Sequence, residues 1–529
     1  MIQSLLQKAE QGTPLWLPDL RLLFAECPEA RPLLLRIRGN GDACRDYRLF
    51  LPPAASSEEE GFLLRYVSAS LYNVLSALSA REITIFCEER TRALLSPLPS
   101  LFETPEGFGK VRSIARRIHG AFEIAFAPPE RFSPVPIPSA PDSNDLGAHL
   151  RAVCRAAEEK GCVGVDVGGS DIKLAASLCG KLLYTKEYDW NPASSPTAEG
   201  IIEPILDMIR EARHEMEKRG GRLEAVGISF PDIVINDRIV GGETPKTKGM
   251  RDNLSLDYER EFTKLRDLKD AVLSLCAPGA RVRLTNDGNM AAFTAAAELA
   301  AGGEDELIAG GVVAHSLGTD LGTGWLCADG TIPPLPLELY DLLLDLGDAP
   351  SASLPSADLR STRNENSGMN GLRRYLGQAA AYRLAWRLDP TLLDGFVSRS
   401  GEILSIPTAP ADLRKPCLEH LMRCAAEGSP EAEEIFREIG RALAQTTREM
   451  DWIFGATPPL RFLFGRFVKS RRCFDLLCEG FREVLSSVSL VAADDEMANT
   501  VLMKQLSSKP SVSVAQFAQS VGAIYYAFD

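Results

Sequence analysis

The sequence predicts an α/β protein with two similar lobes and an additional small α+β domain at its N-terminus. Three observations support this prediction. A strand–glycine turn–strand pattern occurs twice, at 163–175 (VGVDVGGSDIKLA) and at 312–328 (VVAHSLGTDLGTGWLCA). A proline-rich stretch separates the first copy of this pattern from the preceding 126 residues. The length of 529 residues is sufficient for about three domains with cores of their own.

Composition and charge argue against several classes of protein. Hydrophobic residues make up 45% and charged residues 25% of the chain, as is usual for a soluble globular protein. The chain has 58 Lys and Arg against 72 Asp and Glu, a net charge of -14, so neither a nucleic-acid nor an anionic-membrane partner is expected. No apolar run approaches the roughly 18 residues of a transmembrane helix. The polar start, MIQSLLQKAEQG, lacks a signal-peptide apolar region, so we expect a cytoplasmic protein.

The 12 cysteines are scattered singly, without paired CxxC motifs. We interpret them as small apolar side chains, because a disulfide framework is not expected at this size in a reducing compartment. None of the five histidines is near a second candidate ligand in the sequence. No zinc site is predicted.

The N-terminal domain is predicted to span 1–126 and to be followed by a Pro-rich linker at 127–150. Its strand-like runs are RPLLLRI and REITIFCEE, and GFLLRYVSASLYNVLSAL between them has helical apolar spacing. No short basic helix pair with a turn glycine is present, so a helix-turn-helix is not predicted. The sequence assigns no chemistry to this domain.

The first lobe is predicted at 151–280, in the order β-β-β-α-β. Its first three strands are 161–167, 171–178 and 179–188, with glycines at both turns. A helix at 201–219 follows, capped by Ser195 with Pro196 in its first turn. Pro204 indicates a later start or a kink in this helix. The run 223–230 is then a buried strand.

The second lobe is predicted at 281–529. It begins with a strand at 281–285, a helix at 286–300 and a strand at 308–316. The loop GTDLGTG and a strand at 324–328 follow. The remainder, from about 366, is mostly helical, with one buried strand at 460–465 and a final amphipathic helix at 512–527. Matched glycine hairpins in the two halves predict a cleft between the lobes.

Three constellations point to phosphate chemistry. Glycines in the turn after Asp166 allow backbone N–H groups to approach phosphate oxygens, and the Asp166 carboxylate suits Mg²⁺. The loop beginning at Gly318 offers further backbone donors and hydroxyls. Asp287 sits where a strand ends and a helix begins, so it either accepts a proton from an attacking hydroxyl or only caps the helix. Lys173 is either a charge near phosphate or a solvated strand residue.

These motifs, together with GISFP at 227–231 and LTNDGNMAA at 284–292, resemble the ROK family of sugar kinases and sugar-responsive repressors. The family belongs to the actin/hexokinase/Hsp70 superfamily, and the resemblance covers about 161–529. It implies two lobes of RNase H type, with ATP and a sugar meeting in the cleft between them. RFLFGRF at 461–467 resembles the family's adenosine-side strand and turn.

The resemblance also implies residue roles. Asp287 would be the general base, Asn286 would hold a sugar hydroxyl, and Asp166 would organise Mg²⁺. Glu338 and Asp341 would bind substrate. The implied contacts to ATP come from Gly168, Gly169, Ser170, Lys173, Gly318, Thr319, Gly322 and Gly465. Members commonly form homo-oligomers, but the sequence shows no interface stripe.

The sequence departs from the family pattern on the substrate side. Asp320 stands in the second glycine loop, which puts a negative charge near the phosphate path. The family's Glu-x-x-His motif falls on Glu338–Asp341, with Asp in place of His, and a second family glutamate falls near Arg373. The zinc cysteines are missing, Pro231 is followed by Asp232 instead of Gly, and extra residues lie between 340 and 370. These departures predict a rebuilt substrate pocket.

Three alternatives to a sugar kinase follow from these departures. One is a non-catalytic sugar or nucleotide sensor of the same fold. Another is phosphoryl transfer to a non-sugar acceptor such as a carboxylate, which the fold permits. A DNA-binding repressor is disfavoured, since the N-terminal segment is neither basic nor helix-turn-helix-like.

Overall fold

The computed structural model describes residues 1–40, 44–104, 108–135, 145–242, 244–318, 321–347, 354–355, 357–361, 370–492, 498–509 and 514–529. Within these ranges the α-helices are α1 (Ile2–Glu10), α2 (Leu17–Ala25), α3 (Ser57–Leu78), α4 (Glu89–Leu95), α5 (Leu98–Leu101), α6 (Gly109–His119), α7 (Leu146–Glu158), α8 (Glu199–Glu217), α9 (Lys248–Asp252), α10 (Tyr258–Arg266), α11 (Leu268–Leu273), α12 (Asp287–Gly302), α13 (Asp305–Ile308), α14 (Gln378–Leu388), α15 (Arg414–Ala426), α16 (Pro430–Phe454), α17 (Arg471–Val484), α18 (Val501–Ser507) and α19 (Val514–Tyr526).

The β-strands in the same ranges are β1 (Arg31–Arg38), β2 (Cys44–Leu51), β3 (Glu82–Phe86), β4 (Glu123–Ala127), β5 (Gly161–Val167), β6 (Asp171–Leu178), β7 (Lys181–Asp189), β8 (Ala225–Phe230), β9 (Val234–Ile235), β10 (Arg238–Ile239), β11 (Arg281–Asn286), β12 (Val312–Leu317), β13 (Leu321–Leu326), β14 (Leu343–Asp345), β15 (Asn370–Gly371), β16 (Ser398–Ser400), β17 (Ile403–Ser405), β18 (Leu460–Gly465) and β19 (Ser489–Ala492). The predicted strands at 161–167, 171–178 and 460–465 are confirmed to the residue.

The first-lobe sheet has five strands in the order β11-β8-β5-β6-β7. Strands β5, β6 and β7 form an antiparallel meander, and β8 and β11 extend the sheet in parallel beside β5. The strands buried on both faces, such as β8, read as continuous apolar runs. This is the strand order of an RNase H-like domain.

The second-lobe sheet repeats this order in four strands, β13-β12-β18-β19. Strand β12 pairs antiparallel with β13 and parallel with β18, which pairs parallel with β19. Strands β12, β13, β18 and β19 therefore correspond to β5, β6, β8 and β11. A counterpart of β7 is absent from the described part of this sheet. The duplicated topology confirms the predicted two-lobed α/β fold.

Helices α12 and α19 lie between the two sheets at very close quarters. A Cβ placed on Gly164 would lie 1.8 Å from the Ser520 carbonyl oxygen, and one on Gly227 would lie 1.8 Å from that of Ala523. Both glycines therefore let α19 approach the first-lobe sheet more closely than any side chain permits. Gly522 does the same where α19 crosses α12.

The N-terminal sheet has the order β2-β1-β3-β4, with β3 and β4 parallel and the other pairs antiparallel. Helix α3 packs between this sheet and the second lobe. Residues 66–77 of α3 are all buried, over more than three turns. A helix buried on all sides needs partners on all sides, so the N-terminal region and the second lobe share one core.

A buried ion pair joins these two parts. Arg21 on α2 donates to Glu449 on α16, with 2.8 Å between Nη2 and Oε1, and Glu449 is fully buried. Asn73 on α3 donates to the same Oε1 at 2.7 Å, and the Arg21 guanidinium lies 3.6 Å from the centroid of the Trp452 ring. The charged groups are thus paired, hydrogen-bonded and shielded from water.

Two expectations are corrected by the fold. Strand β11, assigned by sequence to the start of the second lobe, is the edge strand of the first-lobe sheet, because it pairs in parallel with β8. Ser195 does not cap the long helix of the first lobe. That helix, α8, begins at Glu199, and its first turn is held by Glu261, whose Oε1 accepts a hydrogen bond from the Ala198 N–H at 2.8 Å.

Other boundaries also differ from expectation. Helix α8 continues through Pro204 instead of beginning after it. Helix α7 begins at Leu146, before the predicted end of the linker. Strand β13 begins at Leu321, so much of the expected second glycine loop is strand. The domain boundaries at 126 and 150 stay proposals.

None of the described helices is both long and apolar enough to cross a bilayer.

We expect Arg21→Ala to lower the free energy of unfolding by about 3–5 kcal/mol, because it leaves the Glu449 carboxylate buried without its partner. Arg31 is the matched control, since its ion pair with Glu88 is exposed (59% and 61%) and its loss should cost under about 1 kcal/mol. Urea denaturation of both variants measures the difference. Equal losses of unfolding free energy in the two variants would show that the Arg21–Glu449 pair does not stabilise the contact between the N-terminal region and the second lobe.

Candidate active site in the cleft

The first glycine turn joins β5 to β6. The Gly168 N–H donates to the Asp171 carbonyl oxygen at 2.8 Å, which closes the turn, and Trp190 Nε1 donates to the Gly168 carbonyl oxygen at 3.1 Å. A Cβ on Gly168 would lie 2.8 Å from the Asp171 oxygen, so the turn needs glycine there. The backbone N–H groups of Gly169 and Ser170 make no hydrogen bond to a described residue. They are the donors of this turn that remain for a ligand.

Lys173 and Ser170 brace this turn. Lys173 Nζ lies 2.5 Å from Asp171 Oδ1 and 3.8 Å from Glu187 Oε1. Ser170 Oγ donates to Asp171 Oδ2 at 3.0 Å. The predicted contacts of Lys173 and Ser170 to ATP stay predictions, since both side chains already have partners within the hairpin.

Asp166 is placed at the end of β5, one residue before the turn. Its Oδ1 accepts a hydrogen bond from Ser229 Oγ at 2.8 Å, and Ser229 Oγ lies 3.2 Å from Gln519 Oε1 on α19. Burial, together with the nearby charge of Asp287, raises the pKa of Asp166 to about 6. Two carboxylates in one poorly hydrated cleft are a donor set that suits Mg²⁺. The chemistry of the Asp166 carboxylate suits the predicted magnesium site, which stays a prediction, and the described residues contain no group of three or more His, Cys, Asp or Glu that could hold a metal ion.

Asp287 is the first residue of α12 and follows directly on β11. Burial raises the pKa of Asp287, although the charge of Lys246 and hydrogen bonds from Gly288 and Asn286 oppose this rise. A carboxyl with a raised pKa is a better proton acceptor than an ordinary aspartate. Its location allows the predicted role as a base.

Asn286 caps α12, with its Oδ1 accepting from the Gly288 N–H at 2.8 Å. Its Nδ2 donates to the Asp232 carbonyl oxygen at 2.9 Å. The amide thus fixes the start of the helix against the loop after β8. Asn286 therefore shares the helix-capping role that was the alternative for Asp287. Only Oδ1 of Asp287 accepts the Gly288 N–H, at 2.9 Å.

A close contact between glycines brings Asp287 beside the second glycine hairpin. A Cβ on Gly324 would lie 1.8 Å from the Gly288 carbonyl oxygen, and one on Gly288 would lie 2.3 Å from that of Thr323. Asn289 Oδ1 accepts from the Trp325 N–H at 3.0 Å and holds the same contact. The first turn of α12 therefore rests directly on β13.

The second hairpin is described in part. Gly318 follows β12, and its carbonyl oxygen accepts from the Gln378 N–H at 2.9 Å. Gly322 is paired with Ser316 inside the β12–β13 ladder. Thr319 and Asp320 lie outside the described residues, as do the side chain of Arg373 and much of the extra segment between 340 and 370. Roles for these residues stay predictions.

Gly465 ends β18 beside the second hairpin. Its φ is +104°, and a Cβ there would lie 2.4 Å from the Leu317 carbonyl oxygen, so only glycine fits. Gly465 lines a cavity of about 1170 Å³, together with Phe464 and Lys469. The cavity extends along α12 from Ala291, one turn beyond Asp287, and reaches Gln519, which contacts Ser229. Its volume is sufficient for a nucleotide.

The predicted substrate carboxylates, Glu338 and Asp341, are joined by a cation from the N-terminal region. Lys110 Nζ on α6 lies 3.4 Å from Glu338 Oε2, 2.5 Å from Asp341 Oδ2 and 2.8 Å from the Tyr340 hydroxyl. Burial disfavours the ammonium, but Asp341, Tyr340 and Glu338 outweigh it and hold the pKa of Lys110 well above its usual value. Burial raises the pKa of Glu338.

Sequence reasoning missed Lys110, Lys246 and Gln519. Lys110 and Glu338 are 228 positions apart, and no motif connects them. Lys246 follows Pro245 in a loop without recognisable pattern, and its Cε lies 3.6 Å from where a Cβ on Gly169 would be. Only the folded chain brings these residues to the cleft.

No family model and no curated protein matches the chain. Among solved structures, a ROK family glucokinase from Streptomyces griseus in complex with glucose and AMPPNP is 21% identical; the match covers 69% of this chain and 98% of that one, with a TM-score of 0.41. A ROK hexokinase from Thermus thermophilus is 18% identical; the match covers 69% of this chain and 97% of that one, with a TM-score of 0.41. A ROK family transcriptional regulator, a homologue of the E. coli MLC protein, is 14% identical; the match covers 70% of this chain and 81% of that one, with a TM-score of 0.43.

We expect Asp166→Asn to raise the melting temperature in EDTA at pH 8. The folded pKa of about 6 exceeds the ordinary 3.8, so the ionised carboxylate destabilises the fold above pH 6. As the pH falls from 6 towards 4, the wild type should regain stability and the two melting temperatures should converge. Mg²⁺ should raise the wild-type value more than the variant's. A difference independent of pH would contradict this.

We expect Lys110→Met to lower stability at pH 8, because Glu338 and Asp341 then remain buried without a cation. Burial already raises the pKa of Glu338, so without Lys110 this carboxyl would resist ionisation, and stability should recover as the pH falls towards 4.5, the ordinary pKa of glutamate. Lys160→Met is the control, since the Lys160–Glu224 pair is exposed. Thermal melts from pH 4.5 to pH 8 measure both. A loss without pH dependence would indicate a packing effect only.

The strand order of the two sheets shows that the chain has the two-lobed RNase H-like fold, with an additional N-terminal α+β region. Through the motifs in its sequence, the chain resembles the ROK family of sugar kinases.

Proposed function

We propose that the chain is an ATP-dependent sugar kinase in which Asp287 is the general base. One observation carries this proposal: Asp287 begins α12 between the two glycine hairpins, within electrostatic reach of Asp166. Phosphoryl transfer needs donors for the phosphates and a base for the attacking hydroxyl in one place. The cleft of this chain supplies both.

The nucleotide would lie along the cavity that runs from Gly465 to the start of α12. Its phosphates would meet the N–H groups of Gly169 and Ser170 on one side and the end of β12 at Gly318 on the other. Such preorganised donors stabilise phosphate charge without reorganisation during the reaction. Phe464 offers an apolar surface for the adenine ring at the Gly465 end of the cavity.

Asp166 would hold Mg²⁺ through its Oδ2, which accepts no hydrogen bond from the described residues, and the ion would supply charge neutralisation at the phosphates. Ser229 orients the carboxylate through Oδ1. Asp287 would accept the proton of the sugar hydroxyl as that oxygen attacks phosphorus. Asn286, fixed by Gly288 and Asp232 and hydrogen-bonded to Asp287, would lie beside the sugar hydroxyl that Asp287 deprotonates.

We expect Asp287→Asn to fold normally and to lose about 10²–10⁴-fold in kcat, as is typical for removal of a general base. The assay is ADP release from Mg-ATP with a panel of hexoses, N-acetylhexosamines and polyols. Glucose, bound in the Streptomyces enzyme, is included. The matched control is Asp394→Asn, an exposed carboxylate outside the site.

Turnover that is unchanged in Asp287→Asn would refute the assignment of the base. Turnover with one sugar, lost in Asp287→Asn and kept in Asp394→Asn, would establish the kinase and its acceptor.

A sugar or nucleotide sensor is the second candidate. The observation that favours it is the pairing of Lys110 with Glu338 and Asp341, because carboxylates bound to a lysine have fewer lone pairs left for sugar hydroxyls. In this case the wild type would release no ADP with any sugar, while its melting temperature would still rise with a sugar or a nucleotide.

A further inference from the structure

Lys246 is a cation in the cleft that is not paired with any residue in the part of the chain that the structure describes. Its ammonium makes no hydrogen bond or ion pair with any residue in the described ranges, although it is half-buried. Its Cε lies 3.6 Å from the position of a Cβ on Gly169. Its charge also lowers the pKa of Asp287 against the effect of burial. Lys246 therefore faces both the first glycine turn and the candidate base.

The turn that carries Lys246 is held in place by several hydrogen bonds. Thr247 Oγ1 donates to the Gly242 carbonyl oxygen at 2.6 Å. Arg251 donates to the carbonyl oxygens of Gly242 and Thr244 at 2.7 and 2.8 Å. The Tyr258 hydroxyl donates to the Gly242 carbonyl oxygen at 2.5 Å. Lys246 thus projects from a backbone that is fixed before any ligand binds.

The groups around Lys246 define what it can bind. The N–H groups of Gly169 and Ser170 belong to the first glycine turn and make no hydrogen bond to a residue that the structure describes. Two backbone donors and an ammonium form a site for an oxyanion. The charge of Lys246 acts on the Asp287 carboxyl, so an anion held by Lys246 would be within electrostatic reach of the proposed base.

We propose that Lys246, with the N–H groups of Gly169 and Ser170, binds the γ-phosphoryl group of ATP. This inference rests on the proposed kinase function and adds a residue to it. In the transfer step the acceptor oxygen bonds to the γ-phosphorus, the bond from phosphorus to the β,γ-bridging oxygen breaks, and ADP leaves. The proton of the acceptor hydroxyl passes to Asp287.

A simple ion pair between Lys246 and Asp287 is the competing interpretation. It is disfavoured because the ammonium forms no hydrogen bond or ion pair with Asp287 in the structure. A γ-phosphoryl group between the two would be held by Lys246 and would present its phosphorus to the hydroxyl that Asp287 deprotonates. The positive charge of Lys246 would then neutralise part of the phosphate charge next to Asp287.

The test compares a nucleotide that has the γ-phosphoryl group with one that lacks it. Calorimetric affinities for Mg-AMPPNP and Mg-ADP are measured for the wild type, Lys246→Met and Lys246→Arg. Lys248→Met is the matched control, because Lys248 is in the same segment but is exposed and paired with Asp252. Lys246→Met should weaken AMPPNP by about tenfold or more, the effect of one charged hydrogen bond, and leave ADP nearly unchanged.

Lys246→Arg should retain most of the AMPPNP affinity, and Lys248→Met should match the wild type. Equal losses for AMPPNP and ADP, or no loss for either, would overturn the assignment. If AMPPNP affinity depends on Lys246 but no sugar is phosphorylated, the phosphoryl site stands and the kinase proposal fails. If the wild type binds neither nucleotide, both fail.

Discussion

The burial of two carboxylates in one cleft is the constraint on which the rest of the site depends. Asp166 and Asp287 each have a raised pKa, and the charge of Asp287 contributes to the rise at Asp166. The surrounding groups reduce this cost: Ser229 donates to Asp166, and Gly288 and Lys246 favour the ionised Asp287. A magnesium–nucleotide complex would complete the compensation, so the arrangement is better suited to a ligand than to an empty cleft.

The fold achieves this geometry by contacts that only glycine permits. Gly164 and Gly227 bring α19 onto the first-lobe sheet, which places Gln519 beside Ser229 and Asp166. Gly288 and Gly324 bring α12 onto β13, which places Asp287 next to the second hairpin. A methyl group at any of these positions would overlap a backbone oxygen, and the interior cannot absorb such a shift without strain. The positions of the carboxylates are therefore set by backbone packing.

Local patterns were sufficient to predict much of this fold. The bounds of β5 and β6 follow from a short apolar run and a glycine turn, which are signals within a few residues of each other. What sequence reasoning missed depends on distant partners. Strand β11 joined the first-lobe sheet because β8 offered it a parallel edge, and the start of α8 was set by Glu261 instead of Ser195. The roles of Lys110 and Lys246 could not be predicted because the residues next to them in the folded chain are distant from them in sequence.

The N-terminal region contributes to the cleft through α6, which contacts both lobes. At one end Lys110 pairs with Glu338 and Asp341, which precede β14 in the second lobe. At the other end Arg117 pairs with Glu259 of the first lobe at 2.6 Å and donates to the Gly241 carbonyl oxygen. Gly241 is in the loop that also carries Lys246. Helix α6 therefore bridges the two lobes through contacts at both of its ends, from Glu338 and Asp341 in the second lobe to the loop of Lys246 in the first.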